Sequence, residues 1–264
     1  MININWDPIP YLGPIPINWY GLTFLLGFLV GGFLTYRWAP KFGVPREKIV
    51  DLLIWIMIGT AVGARLYFIA QNDPGDYISH PLKIFAVWEG GLAYFGGLFG
   101  GLLGAFLFTW RERLQFLRVA DLFAPAILIG SAIGRISCGL AGMDYGTNTS
   151  LPWGVVYTNP NSYAPNDGVA RHPVQFYELI GDLIIAGVLI KLQRRFPQGV
   201  IFFAYLILFS ILRFFLFFMR GDVAPVGFGL KNAQWTAFVI LIVAASAALI
   251  VNASLWRRLG SKQV

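Results

Sequence analysis

Three arginines stand inside stretches that are otherwise almost wholly apolar. Arg65 follows Gly63 and Ala64, Arg135 follows Gly134, and Arg213 sits in the run Ser210-Ile211-Leu212-Arg213-Phe214. A charge at mid-bilayer costs about 3 kcal/mol or more, so such residues mark a pathway, a counter-ion or an anionic ligand. Arginine offers a forked set of donors that suits phosphate. Glu178 and Asp182, one helical turn apart at the start of another apolar stretch, share a face. Three cations against two carboxylates suggest recognition of a phospholipid head group. The plainer alternative is a set of buried ion pairs, or snorkelling arginines, that only hold helices together.

The elements that must position these groups are transmembrane helices. The 264 residues are 57% hydrophobic and 12% charged, with a mean hydropathy of +0.65, whereas a soluble domain is about 25% charged. Apolar stretches long enough to cross about 30 Å of hydrocarbon occur at 17–37, 50–71, 91–110, 119–141, 174–192, 199–219 and 233–255. The expected fold is therefore an all-α polytopic membrane protein of seven transmembrane helices, one membrane domain over 1–264. Residues 1–16, with Pro8, Pro10, Pro14, Pro16, Trp6 and Tyr11, are expected to form an irregular interfacial arm. The longest connection, 142–173, is expected to form a compact irregular head. Gly90, Gly91, Gly96, Gly97, Gly100, Gly101 and Gly104 offer small-residue faces for close helix packing.

Orientation follows from the basic residues. Arg37, Lys41, Arg46, Lys48, Arg111, Arg113, Arg118, Lys191, Arg194, Arg195, Arg257, Arg258 and Lys262 fall on one side, against Lys83, Arg171, Arg220 and Lys231 on the other. The positive-inside rule then puts the N-terminus and the 142–173 head outside and the C-terminus in the cytoplasm. Helices two, four and six run outward, and each carries its arginine six or seven residues before its outer end. At 1.5 Å per residue all three lie about 10 Å below the outer boundary. The net charge of +7 fits cytoplasmic loops and anionic lipid, and no nucleic acid partner is expected. The first residues lack the basic and short apolar regions of a cleaved signal peptide, so a mature start is expected. The single cysteine, Cys138, excludes an internal disulfide and a cysteine-built zinc site.

Other residues carry weaker signals. Tyr20, at the outer start of the first helix, can hydrogen-bond a head group or belong to the interfacial aromatic belt. His172 precedes Pro173 and suits a capping or loop position as well as a base. Cys138, one turn beyond Arg135, reads as a small buried residue.

At these positions the chain resembles the bacterial prolipoprotein diacylglyceryl transferases, over nearly its whole length. The matching pieces are Trp19-Tyr20-Gly21, Gly63-Ala-Arg65, Trp88-Glu-Gly-Gly91 with Gly96-Gly97, Gly134-Arg135 through Gly146, His172-Pro-Val-Gln-Phe-Tyr-Glu178, and Arg213 with Arg220-Gly-Asp222. The resemblance implies transfer of a diacylglyceryl group from phosphatidylglycerol to the lipobox cysteine of a prolipoprotein signal peptide, in the bacterial inner membrane. It implies Arg135 and Arg213 as catalytic, and Tyr20, Arg65, Gly134, Gly146, His172, Gln175, Tyr177, Glu178 and Arg220 as substrate-binding. No cofactor or metal is expected. The chain departs from the family pattern at Cys138, Ala141 and Met143, where two asparagines and a glutamate are usual, at Phe95 in place of a histidine, and at Phe217 in place of a glutamate. A non-catalytic lipid-binding or lipid-translocating protein is therefore the competing reading. A small secondary transporter is weaker, because no paired discontinuous helices or inverted repeats are visible.

Overall fold

A computed structural model of the chain describes residues 1–12, 14–72, 74–86, 90–193 and 195–260. Among these, seven long helices follow the apolar runs: α1 (Trp19–Trp38), α2 (Arg46–Gln71), α4 (Tyr94–Arg111), α5 (Phe116–Ala141), α6 (Val174–Leu192), α7 (Val200–Leu216) and α8 (Asn232–Gly260). A short helix, α3 (Pro74–Ser79), opens on a proline, which is tolerated where a backbone donor is unneeded. Five of the long helices, α1, α2, α5, α7 and α8, are long and apolar enough to cross a membrane by length and composition. The two others have visible reasons to fall short. α4 carries five glycines and ends on Thr109, Trp110 and Arg111, which lowers its hydropathy, and α6 carries Glu178, Asp182 and Lys191.

Local signals set the ends of these helices. Asn18 Oδ1 accepts the Gly21 N–H at 3.2 Å, capping the start of α1. Gly43, at φ +66°, closes the turn between α1 and α2, and Gly142, at φ +77°, ends α5 while Met143 N–H reaches back to the Cys138 carbonyl.

The chain divides into two compact units, Met1–Leu34 with Phe123–Val264, and Thr35–Leu122. In the second unit α2 packs on α4 through glycines. A Cβ on Gly63 would lie 2.7 Å from Gly100 Cα, and one on Gly104 would lie 2.5 Å from the Trp55 carbonyl, so the backbones approach too closely for side chains. In the first unit Ala124 and Leu128 of α5, Ile185, Ala186 and Leu189 of α6, and Ile201 of α7 form the apolar core.

The arm is not wholly irregular. Strand β1 (Ile2–Ile4) pairs in parallel with β4 (Val155–Tyr157), and β2 (Tyr11–Leu12) pairs antiparallel with β3 (Ile15–Pro16). Val155 and Arg171 exchange both backbone hydrogen bonds at 2.9 Å on the other side of β4. Val155, Tyr157 and Ala164, with Ile4 and Tyr145, make a small core under the 142–173 segment.

Candidate active site

Arg135 lies in α5, Glu178 one turn into α6, and Arg213 near the end of α7, and the fold of the first unit brings the three together. Arg135 Nε is 2.7 Å from Glu178 Oε2, and Arg213 Nη1 is 3.5 Å from Glu178 Oε1. The Glu178 side chain is 2% exposed, against 14% and 24% for the two arginines. One buried carboxylate thus lies between two guanidiniums that retain access to the outside. Asp182, a turn further along α6, is also buried and takes a hydrogen bond from Ser131.

The polar connection after α5 supplies the rest. Asp144, in the left-handed region at φ +62°, accepts from Arg135 Nη1 at 2.5 Å and from Arg220 Nη2 at 2.7 Å. Arg220 also binds Asp222 through Nε at 2.7 Å and Nη2 at 2.6 Å. Burial works against the Arg220 charge, but Asp222 and Asp144 outweigh it and raise its pKa. The cluster therefore holds Arg135, Arg213 and Arg220 against Asp144, Glu178 and Asp222, with Asp182 beside them. With Asp182 counted, as it was from the sequence, three arginines meet four carboxyl groups, so the cluster has no excess of cations. Asp144 and Asp222 were missed as partners because they lie in polar loops, where an acid is unremarkable.

The segments that carry these loops are stitched by backbone. Thr147 N–H donates to the Met219 carbonyl at 2.7 Å, Gly221 N–H to the Tyr145 carbonyl at 2.8 Å, and His172 N–H to the Thr147 carbonyl at 2.9 Å. Gly146 is required there, since a Cβ would run into the His172 backbone and side chain. Gln175 is fully buried, donating to the Met143 carbonyl at 2.5 Å. Tyr157 OH donates to the Gly139 carbonyl at 2.9 Å, and burial pushes its pKa up to about 12. Tyr177 OH accepts from Trp153 Nε1 at 2.7 Å and lies 3.5 Å from His172 Nδ1. Arg171 forks onto both oxygens of Asp167 and holds that carboxyl well below the usual carboxylate range. Gly146 and Gln175, expected at the substrate, thus have clear structural work of their own. Gly134 differs: a Cβ there would meet nothing within 4 Å, leaving open space next to Arg135.

Arg65 and Tyr20 have surroundings of their own. Arg65, in the second unit, donates through Nε to the Ile84 carbonyl at 2.9 Å. Its Nη1 donates to the carbonyls of Gly90 at 2.7 Å and Gly91 at 3.0 Å, and its Nη2 to those of Lys83 at 2.6 Å and Ala86 at 3.4 Å. A guanidinium has five N–H donors, and all five are engaged by backbone. Arg65, expected at a lipid phosphate, thereby ties residues 83–86 and 90–91 to α2. Tyr20 is 42% exposed in the first turn of α1, its ring 6.2 Å from that of Phe24, which fits an interfacial belt as readily as a ligand. Cys138 is buried in α5 at 6% exposure. Trp88 and Glu89, quoted for the family resemblance, lie outside the described residues.

A sequence profile of the family described as prolipoprotein diacylglyceryl transferase matches residues 9–251. Relatives named phosphatidylglycerol–prolipoprotein diacylglyceryl transferase align over nearly the full chain. The one from Geobacter sulfurreducens is 32% identical over 254 residues, covering 93% of this chain and 95% of its own. The one from Lysinibacillus sphaericus is 35% identical over 260 residues, covering 94% and 93%, and that from Methylibium petroleiphilum is 34% identical over 264, covering 95% and 97%. With Arg135, Arg213 and Arg220 gathered on Glu178 and Asp144, and more than nine-tenths of its length matched, this chain belongs to the prolipoprotein diacylglyceryl transferase family.

Proposed function

We propose that this chain is a membrane transferase that moves the diacylglyceryl group of phosphatidylglycerol onto the cysteine thiol of a prolipoprotein. The observation that carries the reading is the pair Arg135 and Arg213, converging on one anionic oxygen pair at Glu178 with access from outside. A lipid phosphate offers the same kind of forked acceptor. The thiol sulfur of the lipobox cysteine forms a bond to the glyceryl carbon, and the carbon–oxygen bond to phosphate breaks with its electron pair going to oxygen. The thiol proton ends on the released glycerol phosphate, so the overall step balances between the two substrates. Negative charge grows on the departing phosphate, and guanidiniums preorganised in a dry site stabilise it where it develops. Two acyl tails and a signal-peptide helix held beside the cluster would align sulfur with carbon. The enzyme needs no nucleophile of its own.

In this reading Arg135 and Arg213 are catalytic, and Tyr20, Gly134, Gly146, His172, Gln175, Tyr177, Glu178 and Arg220 line or shape the substrate site. All seven long helices cross the bacterial inner membrane, with the 1–16 arm and the 142–173 head outside and the C-terminus in the cytoplasm. The basic-residue asymmetry supports this orientation. The test is lipid transfer by purified protein with phosphatidylglycerol and a lipobox peptide. Thioether-linked peptide and released glycerol phosphate are expected; intact lipid and unmodified peptide would favour a non-catalytic lipid binder.

A further inference from the structure

Within the run Phe214-Phe215-Leu216-Phe217-Phe218, Phe217 alone is buried, at 4% exposure, while Phe215 and Phe218 are 63% and 51% exposed. Its ring lies 4.9 Å from Arg213 Cζ and 4.8 Å from Arg220 Cζ. Arg213 has a second ring, that of Phe209, at 5.5 Å, whereas its carboxylate partner stands off at 3.5 Å. The two arginines are therefore held by different means. Arg220 is locked by Asp144 and Asp222, which occupy its Nε and Nη2 donors. Arg213 is held mainly by aromatic faces. A carboxylate that fixes a guanidinium takes up the N–H groups an incoming anion needs. A ring face attracts the cation through its quadrupole and leaves those N–H groups at the edge unoccupied.

The backbone under this ring is fixed as well. Lys231 Nζ donates to the Phe217 carbonyl at 2.8 Å and to the Arg220 carbonyl, and burial lowers the Lys231 pKa. Gln234 donates to the Phe214 carbonyl at 3.1 Å and accepts the Lys231 N–H at 2.9 Å. The turn from 217 to 220 is pinned from behind, so the ring's position is determined by more than its own packing.

We propose that Phe217 is a positioning residue, whose ring orients the Arg213 guanidinium toward the lipid phosphate while leaving its donors open. The inference rests on the transfer reading above. The test replaces Phe217 by 4-fluoro-, 3,5-difluoro- and 3,4,5-trifluorophenylalanine, which keep the shape and progressively weaken the ring quadrupole, with Phe217→Leu as the ringless end point. The expected result is a stepwise fall in kcat/KM for phosphatidylglycerol, reaching about tenfold at the trifluoro step, with the melting temperature and the KM for the peptide unchanged along the fluorinated series. Wild-type kcat/KM in the trifluoro variant would overturn the proposal and reduce Phe217 to packing. Retention of phosphatidylglycerol, read by native mass spectrometry, is followed in the same series. If the wild type proves inactive, the transfer reading falls, and undiminished lipid retention in the trifluoro variant would overturn the role of Phe217 separately.

Discussion

Arg135, Arg213 and Arg65 are the same residue type in three kinds of surroundings, and their substitutions should differ accordingly. Arg135 joins two carboxylates through Nε and Nη1, so Arg135→Lys, with one compact ammonium, should lower both the melting temperature and the turnover of the folded protein. Arg213 pairs with Glu178 at 3.5 Å. Arg213→Gln should leave the melting temperature near wild type and cost roughly a hundredfold in rate, about 3 kcal/mol of charge stabilisation. Arg65→Lys should behave in the opposite way, lowering stability while turnover per folded molecule stays within a few-fold. Turnover per folded molecule beside the melting temperature reads all three, and an Arg213→Gln protein that melts early but turns over normally would make Arg213 scaffold. The sequence showed all three as costly charges in apolar spans, and it pointed correctly to Glu178 as a neighbour. It did not show how Arg65 is used, because its acceptors are backbone carbonyls 18 to 26 positions away, and any residue type supplies those.

At the level of elements, the long helices were legible because burial in hydrocarbon demands long apolar runs. α6 was found over 174–192, the range it occupies. The strands were not legible. β1 and β4 have three residues each, too few for an alternation to show, and β4 is buried along its whole length. Tyr157 in β4 gives this small sheet a pH signature. Its phenol, pushed up to about 12 by burial, loses its proton near pH 10 once the chain unfolds. The folded form then binds more protons between those values, so stability is intact below about pH 10 and falls as pH rises toward 12, by about 2–3 kcal/mol in all. Melting temperatures between pH 8 and 11.5 should show this decline. Tyr157→Phe, though it forfeits the hydrogen bond to Gly139, should flatten it, and an equal slope in both proteins would place the titration elsewhere.

For the molecule as a whole, the proposed orientation makes a direct claim about which surface faces outward. Asn166 is exposed in the 142–173 segment, and Asn166→Cys in a Cys138→Ala background should react with an impermeant thiol reagent added to intact cells. Labelling only after permeabilisation would invert the topology. The balance of basic residues along the chain gave that orientation, because it is a property of composition. The division into two compact units was not visible, since the boundaries at Leu34 and Leu122 fall inside α1 and α5 rather than in a linker. The pairing of Ile2–Ile4 with Val155–Tyr157 also sets a schedule. Ile2–Ile4 leave the ribosome before their partner strand, which follows roughly 150 residues later, on the order of ten seconds at ordinary rates of synthesis. Throughout that interval the backbone donors of the arm have water or lipid head groups for company, so a nascent chain arrested before Val155 should be clipped by protease at its first residues, and one arrested well past Tyr157 should be spared.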